Sequence, residues 1–202
     1  MSIETLWEKA VDFHGHSCPS LALGVVASEI VLEEFGKRAK DEELVCIVEN
    51  DACGVDAIQV ILGCTFGKGN LIHRDYGKAV YTFFNRRTEK AIRLSRKLDA
   101  FHREPEAQNK NRELFEKVQK GNAATKKEVE EYKKKRQIQI NQILKSGRKI
   151  FNIREINIPP PEKARIFESI ICDHCKEPTM VTRIKQIDNK YLCIPCYEEI
   201  GT

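Results

Sequence analysis

Four cysteines near the end of the chain, Cys172-x2-Cys175-x17-Cys193-x2-Cys196, constrain this sequence more than any other feature. Each pair sets two thiols on one tight turn. The intervening stretch suits a β-hairpin over residues 180–187 and 190–192, turning at Asp188-Asn189. Four thiolates make a closed tetrahedral site, the usual arrangement for structural zinc. A rubredoxin-like iron site and unmetallated thiols are the competing readings. Pro195 inside the second pair, followed by Tyr197-Glu198-Glu199-Ile200, predicts that this pair opens a short helix. That is a treble-clef zinc finger rather than an all-β ribbon. A segment of ~35 residues buries too little surface to fold alone, so the metal supplies the folding energy.

In a reducing compartment the eight cysteines of this 202-residue chain more often bind metal or react than form disulfides. The start, Met1-Ser2-Ile3-Glu4, has neither the basic nor the apolar region of a signal peptide. No apolar run approaches the ~18 residues of a membrane span. The expectation is a soluble, cytoplasmic protein with no membrane partner. The net charge of +4 hides a segregation. Residues 1–85 carry 7 basic and 13 acidic residues, residues 86–149 carry 20 and 9, and the rest 7 and 8. This excludes a uniformly basic nucleic-acid binder but leaves a local basic surface.

Along the chain, Ser2 caps a first helix with its apolar stripe at Leu6, Trp7, Ala10 and Val11. Pro19 starts a second, which is apolar over most of its circumference and ends at Gly36. Residues 44–49 form a buried strand and 55–62 a second buried helix closed by Gly63. Two helices this apolar exceed what one small sheet covers, which predicts a homodimer through the core. Residues 71–76 and 78–85 are expected as a hairpin joined at Gly77. From Arg86 to Ser146 the chain is highly charged and expected to be helical, interrupted near Glu104-Pro105 and Gly121-Asn122. Thr125-x-x-Glu128 is a capping box that starts the last helix. In it Val129, Tyr132, Ile138, Ile140, Ile143 and Leu144 are the expected buried positions. Residues 148–158 form a strand. Pro159-Pro160-Pro161 is a stiff spacer and divides a core, residues 1–160, from a finger, residues 165–202.

A second constellation lies near the start, in Phe13-His14-Gly15-His16-Ser17-Cys18-Pro19. In an extended segment His14, His16 and Cys18 share one face. Cys18 also begins a helix, where the dipole favours a thiolate. Two imidazoles and a thiolate suit zinc, nickel, iron or copper. Three ligands from one short segment leave an open position, as catalytic sites do. Ordinary hydrogen-bonded histidines at a helix entry are the structural alternative. Cys53, in Asp51-Ala52-Cys53-Gly54, stands at a second strand-to-helix junction, flanked by Asp51 and Asp56. It can complete the metal site or serve as a redox thiol. Cys64 lies ~16 Å away along a straight helix and cannot join it within one copy of the chain. Cys64 belongs with Gly67-Lys68-Gly69-Asn70, whose N–H groups and Lys68 offer a weak anion loop. Cys46, inside the apolar strand, is a small core residue.

Three blocks, His14-Gly15-His16-Ser17-Cys18-Pro19, Asp51-Ala52-Cys53-Gly54-Val55-Asp56-Ala57 and Gly63-Cys64-Thr65-Phe66-Gly67-Lys68-Gly69-Asn70, resemble in order and spacing the FmdE family. This is the family of the E component of formylmethanofuran dehydrogenase and its homologues. The resemblance covers about residues 5–160, and relatives likewise append a four-cysteine zinc finger. It implies an α+β fold of helices on a small sheet, a homodimer, and a metal in a cleft lined by these blocks. It also implies an association with tungsten or molybdenum formylmethanofuran dehydrogenase subunits, which fix carbon dioxide onto methanofuran in methanogenesis. Where the family usually has Gly after Cys-Pro, this chain has Ser20.

Two functions follow as expectations. In the first, the chain is a metal-binding accessory or redox subunit of an oxidoreductase. A core metal of zinc, nickel or iron sits at His14, His16, Cys18 and Cys53, with Cys18, Cys53, Asp51 and Lys68 as catalytic candidates. Nothing in the chain holds a molybdopterin or an iron–sulfur chain, so hydride or formyl chemistry falls to partner subunits. In the alternative, the zinc finger and the basic helices, Lys126 to Arg136 above all, contact nucleic acid or another protein.

Overall fold

The computed structural model describes residues 1–98, 112–118 and 124–200. The expected helix interruptions at Glu104-Pro105 and Gly121-Asn122 lie outside them. The chain divides into two units, Met1–Lys163 and Ala164–Thr202.

The first unit is a five-stranded sheet with helices on one face. Its helices are α1 (Ile3–His14), α2 (Pro19–Phe35), α3 (Gly54–Leu62) and α4 (Lys126–Ser146), with a helical stretch at 112–118. Its strands are β1 (Leu44–Val48), β2 (Leu71–His73), β3 (Val80–Asn85), β4 (Lys90–Arg96) and β5 (Phe151–Ile156), in the order β2-β1-β3-β4-β5. β1 and β2 are parallel, and every other pair is antiparallel. The register puts Cys46 opposite Phe83, Phe83 opposite Ile92 and Leu94 opposite Ile153, so one face of the sheet is continuously apolar beneath the helices. On the other face Val45, Phe84 and Ala91 form a small cluster with Ile72, Ile156 and Ile158. The proline stretch is tied to the core rather than spanning free. Arg86 donates from Nη1 to the Pro161 carbonyl (2.6 Å) and from Nη2 to that of Glu162 (2.9 Å).

Two strand expectations are corrected. Residues 71–85 are not a hairpin at Gly77: β1 lies between β2 and β3, and β2 pairs with it in parallel. The charged stretch after Arg86 opens as a strand, β4, and not a helix. Ile92 and Leu94 face the helices while Arg93, between them, reaches Glu49 at 3.1 Å on the opposite face. This is period-two alternation masked by charge. Of the positions expected to be buried in α4, Ile140 and Ile143 are, whereas Ile138 is exposed.

α2 is the central helix. Ten of its residues are buried, because α1, α3, α4 and the sheet surround it within one chain. Covering it therefore does not by itself require a second copy. α2 and α3 cross at two glycines. A Cβ on Gly24 would overlap the Gly54 backbone, and a Cβ on Gly54 would meet the Tyr81 hydroxyl at 2.6 Å. This approach, open only to glycine, brings together the starts of the two helices and so Cys18 and Cys53.

The second unit contains β6 (Ser169–Ile171), β7 (Pro178–Met180), β8 (Ile184–Ile187), β9 (Lys190–Cys193) and α5 (Ile194–Ile200). β6 pairs with β7, and β8 with β9. The β8–β9 hairpin turns at Asp188 and Asn189, both at positive φ (46° and 64°), as a tight primed turn requires. Turn, hairpin and short helix give the expected treble-clef arrangement.

Candidate metal centres

α1 ends at Gly15, whose left-handed φ of 83° no side-chain-bearing residue adopts cheaply. His14 is thus the last residue of a helix and not part of an extended run. The turn, rather than strand alternation, places His14 beside His16, with ring centroids 4.3 Å apart. Two residues on, Cys18 is the N-cap of α2 in extended conformation, and its Sγ accepts the Leu21 N–H at 3.2 Å. Cys53 precedes α3. One ligand atom from each of His14, His16, Cys18 and Cys53 lies within 4.8 Å of the others.

The surroundings fit a metal ion. The Asp56 carboxylate lies 2.7 Å from His14 Nδ1, and its other oxygen accepts from Gln59 Nε2 at 3.2 Å. A carboxylate on one ring nitrogen fixes the tautomer that leaves a lone pair on the other. That other nitrogen, His14 Nε2, is buried with no hydrogen-bond partner among the described residues. A buried polar atom without a partner costs on the order of 1–3 kcal/mol, which a coordinated cation would offset. His16 is held below its ordinary range by desolvation first and then by His14 and Arg136, which favours the neutral, coordinating imidazole. Burial, and then the Cys18 sulfur, push the Cys53 thiol up. Deprotonating both sulfurs without a cation would set like charges side by side.

Beside the two sulfurs opens a cavity of about 620 Å³. Its floor is Cys18, Ser20 and Cys53, and its roof is Tyr132, Arg136 and Phe115, from α4 and residues 112–118. Ser20 therefore falls at the cavity floor. Sequence reasoning missed the roof, because α4 lies some 80 residues beyond Cys53 and its Tyr132 and Arg136 resemble an ordinary helix surface.

The remaining candidates are placed elsewhere. Asp51 is exposed and outside the group of four. Lys68 lies past the far end of α3 and donates to the Asp41 carbonyl at 3.0 Å. The loop around it is organised from within. Buried Asn70 donates to the carbonyls of Asp41, Leu44 and Gly63 (2.9–3.2 Å) and accepts the Thr65 N–H at 2.9 Å. Cys64 is fully buried against the Leu44 carbonyl, and burial pushes its thiol up to about 12. Cys46 is likewise buried, with its thiol raised by burial.

In the second unit Cys172, Cys175, Cys193 and Cys196 also bring their sulfurs within 4.8 Å of one another. Cys172 accepts the Cys193 N–H at 3.3 Å, which chiefly holds its thiol down to about 6. Its neighbours push Cys196 up to about 12, led by Cys193. Four sulfurs this close give up their protons to solvent together only when a cation binds the thiolates. Among the described residues no helix is long and apolar enough to cross a membrane.

A solved structure from Syntrophus aciditrophicus, described as a tungsten formylmethanofuran dehydrogenase FmdE-like protein, superimposes with a TM-score of 0.67. The match covers 100% of this chain and 95% of that one at 20% identity, a likeness of fold. A protein from Archaeoglobus fulgidus described as a probable S-adenosyl-L-methionine-binding protein is 32% identical over 196 residues. That match takes in 93% of this chain but 51% of the relative, so the chain spans about half of that relative's length. The model of the FmdE family, described as "Molybdenum formylmethanofuran dehydrogenase operon", matches residues 13–152, from the residue before His14 to the start of β5. The chain belongs to the FmdE family.

Proposed function

We propose that the core is a metal-binding unit in which His14, His16, Cys18 and Cys53 hold one transition-metal ion at the floor of a small-molecule cavity. The observation that carries this reading is the convergence of the four donor atoms within 4.8 Å, with His14 oriented from behind by Asp56. Two thiolates and two imidazoles suit zinc, nickel or iron. With four protein ligands, the ion would act as a Lewis acid on a molecule in the cavity only by taking it as a fifth ligand or in place of one of the four. The chain's own contribution is to orient His14 through Asp56, to keep His16 neutral, and to hold Cys18 and Cys53 on two helix starts locked by Gly24 and Gly54. The second unit would hold a structural zinc on its four cysteines. In this reading the protein is an accessory or redox-related partner of a formylmethanofuran dehydrogenase-type oxidoreductase in the cytoplasm, with hydride or formyl chemistry on other subunits. A homodimer belongs to the same proposal, and a monomeric mass at micromolar concentration in light scattering removes it.

Cobalt substitution tests the core site in the full chain. Thiolate-to-cobalt charge-transfer absorption should fall in steps when Cys18→Ser and Cys53→Ser are introduced, while the contribution of the finger persists. Unchanged cobalt spectra in both variants would mean that neither core sulfur binds metal. Binding through the basic helices finds less support: Lys135 is paired to Glu131 at 2.6 Å, and Arg136 is turned to the cavity.

A further inference from the structure

The cavity over Cys18 and Cys53 has three cations in its lining, Arg112, Lys135 and Arg136, and no carboxylate among the described residues that line it. Two of the cations have partners outside it: Arg112 pairs with Glu116 at 3.0 Å and Lys135 with Glu131 at 2.6 Å. Arg136 differs. One of its N–H groups donates to the Tyr132 hydroxyl at 3.1 Å, and among the described residues it faces no carboxylate. Its guanidinium carbon lies 5.8 Å from the centre of the Tyr132 ring. The Phe115 and Tyr132 ring centres stand 6.2 Å apart with their planes tilted by 46°, giving the roof two aromatic faces set at an angle.

Charge balance points the same way. A divalent ion bound by two thiolates and two neutral imidazoles is electrically neutral, so it does not offset Arg136. A half-buried guanidinium at a cavity wall, with a planar fork of donors still to satisfy, matches a carboxylate in shape and sign. A volume of about 620 Å³ lies within the range of small-molecule sites.

We propose that this cavity takes a small aromatic carboxylate, its anionic group received by Arg136 and its ring packed in the angle between Phe115 and Tyr132. The inference deepens the metal-site reading and rests on it only for what the ligand's other end meets. Arg136 is a specificity-determining residue in this arrangement. Tyr132 positions it, and the floor of Cys18 and Cys53 places the ligand beside the metal.

The test is calorimetric titration of the zinc-loaded full chain with benzoate, benzamide, acetate and phenyl phosphate, with metal content measured on the same samples. Benzoate should bind at least tenfold more tightly than benzamide, which lacks the charge, or acetate, which lacks the ring. Arg136→Gln should lose at least tenfold in benzoate affinity with unchanged metal content. Arg136→Lys, which keeps the charge but not the fork, should fall between. Equal binding of benzoate and benzamide, or undiminished benzoate binding by Arg136→Gln, would overturn the proposal and leave the metal site standing. Phenyl phosphate binding tenfold more tightly than benzoate would overturn the carboxylate assignment. Arg136-dependent benzoate binding by a core that takes up no metal would instead retain the anion site and remove the metal reading.

Discussion

Gly24→Ala is the perturbation that links packing to the site most directly. The added Cβ would sit 2.6 Å from the Gly54 Cα and 2.7 Å from its carbonyl carbon, where carbons ordinarily pack at ~3.5–4.0 Å. The first turn of α3 must therefore back away from α2 by about 1 Å. Overpacking of this kind costs ~1–3 kcal/mol. Replacing a mid-helix glycine returns ~1 kcal/mol. The net loss of stability is then only about 0–2 kcal/mol, and the fold should survive. The core metal should not survive so well, since Cys53 immediately precedes Gly54. Metal–ligand distances hold to within ~0.2 Å, so a displacement near 1 Å removes one ligand of four. Losing a ligand exceeds the ~10–100-fold cost of outer-shell changes, so affinity should drop by about 100-fold or more. Competition with a chromophoric chelator measures this, and urea denaturation of the metal-free protein measures stability. Gly67→Ala, where a Cβ meets nothing within 4 Å, is the control. Metal affinity in Gly24→Ala within twofold of the parent would refute the coupling of helix crossing to site.

Other expectations follow from single contacts. Asp56→Asn keeps the shape but not the charge behind His14, and core metal affinity should fall ~10–100-fold in the same competition assay. Asn70→Ala strips a buried donor from three carbonyls and should cost ~2–4 kcal/mol in urea denaturation while core metal content stays unchanged. Glu128 is held down to about 2, chiefly by the Thr125 N–H and then by Lys117. A depressed carboxylate stabilises above its unfolded value, 4.5 here, and loses that contribution as pH falls towards 2. The helicity difference between the parent and Glu128→Gln, followed by circular dichroism, should therefore shrink between pH 4.5 and 2 and be constant above it.

What could be deduced from residues alone was local. Ser2, Gly36 and the Thr125–Glu128 box mark helix ends because each cap satisfies its own backbone within a few residues. The finger was legible because pair spacing encodes the sulfur cluster almost by itself. His14, His16 and Cys18 could be grouped because they are two residues apart, and Cys53 joined them as a second cysteine at a helix start, yet the turn at Gly15 and not an extended strand sets His14 beside His16. Non-local pairing was not legible. Nothing in residues 71–85 says that β1 will enter between β2 and β3. In β4 Arg93 on the outward face, with Lys90 and Arg96 at the strand ends, hid the alternation of Ile92 and Leu94. Gly24, a lone glycine in a buried helix, was a signal in plain sight for the close crossing at Gly54. The roof of the cavity carried no such signal, because an arginine facing a pocket and an arginine facing water look alike in a sequence.

The core should carry a metal separate from that of the finger. Elemental analysis of the full chain, purified without chelators, tests it most directly. Two separate sites should give about two metal ions per chain, about one in Cys18→Ser with the finger still loaded, and about one in Cys175→Ser with the core still loaded. One metal per chain in the parent, unchanged by Cys18→Ser and lost in Cys175→Ser, would contradict it.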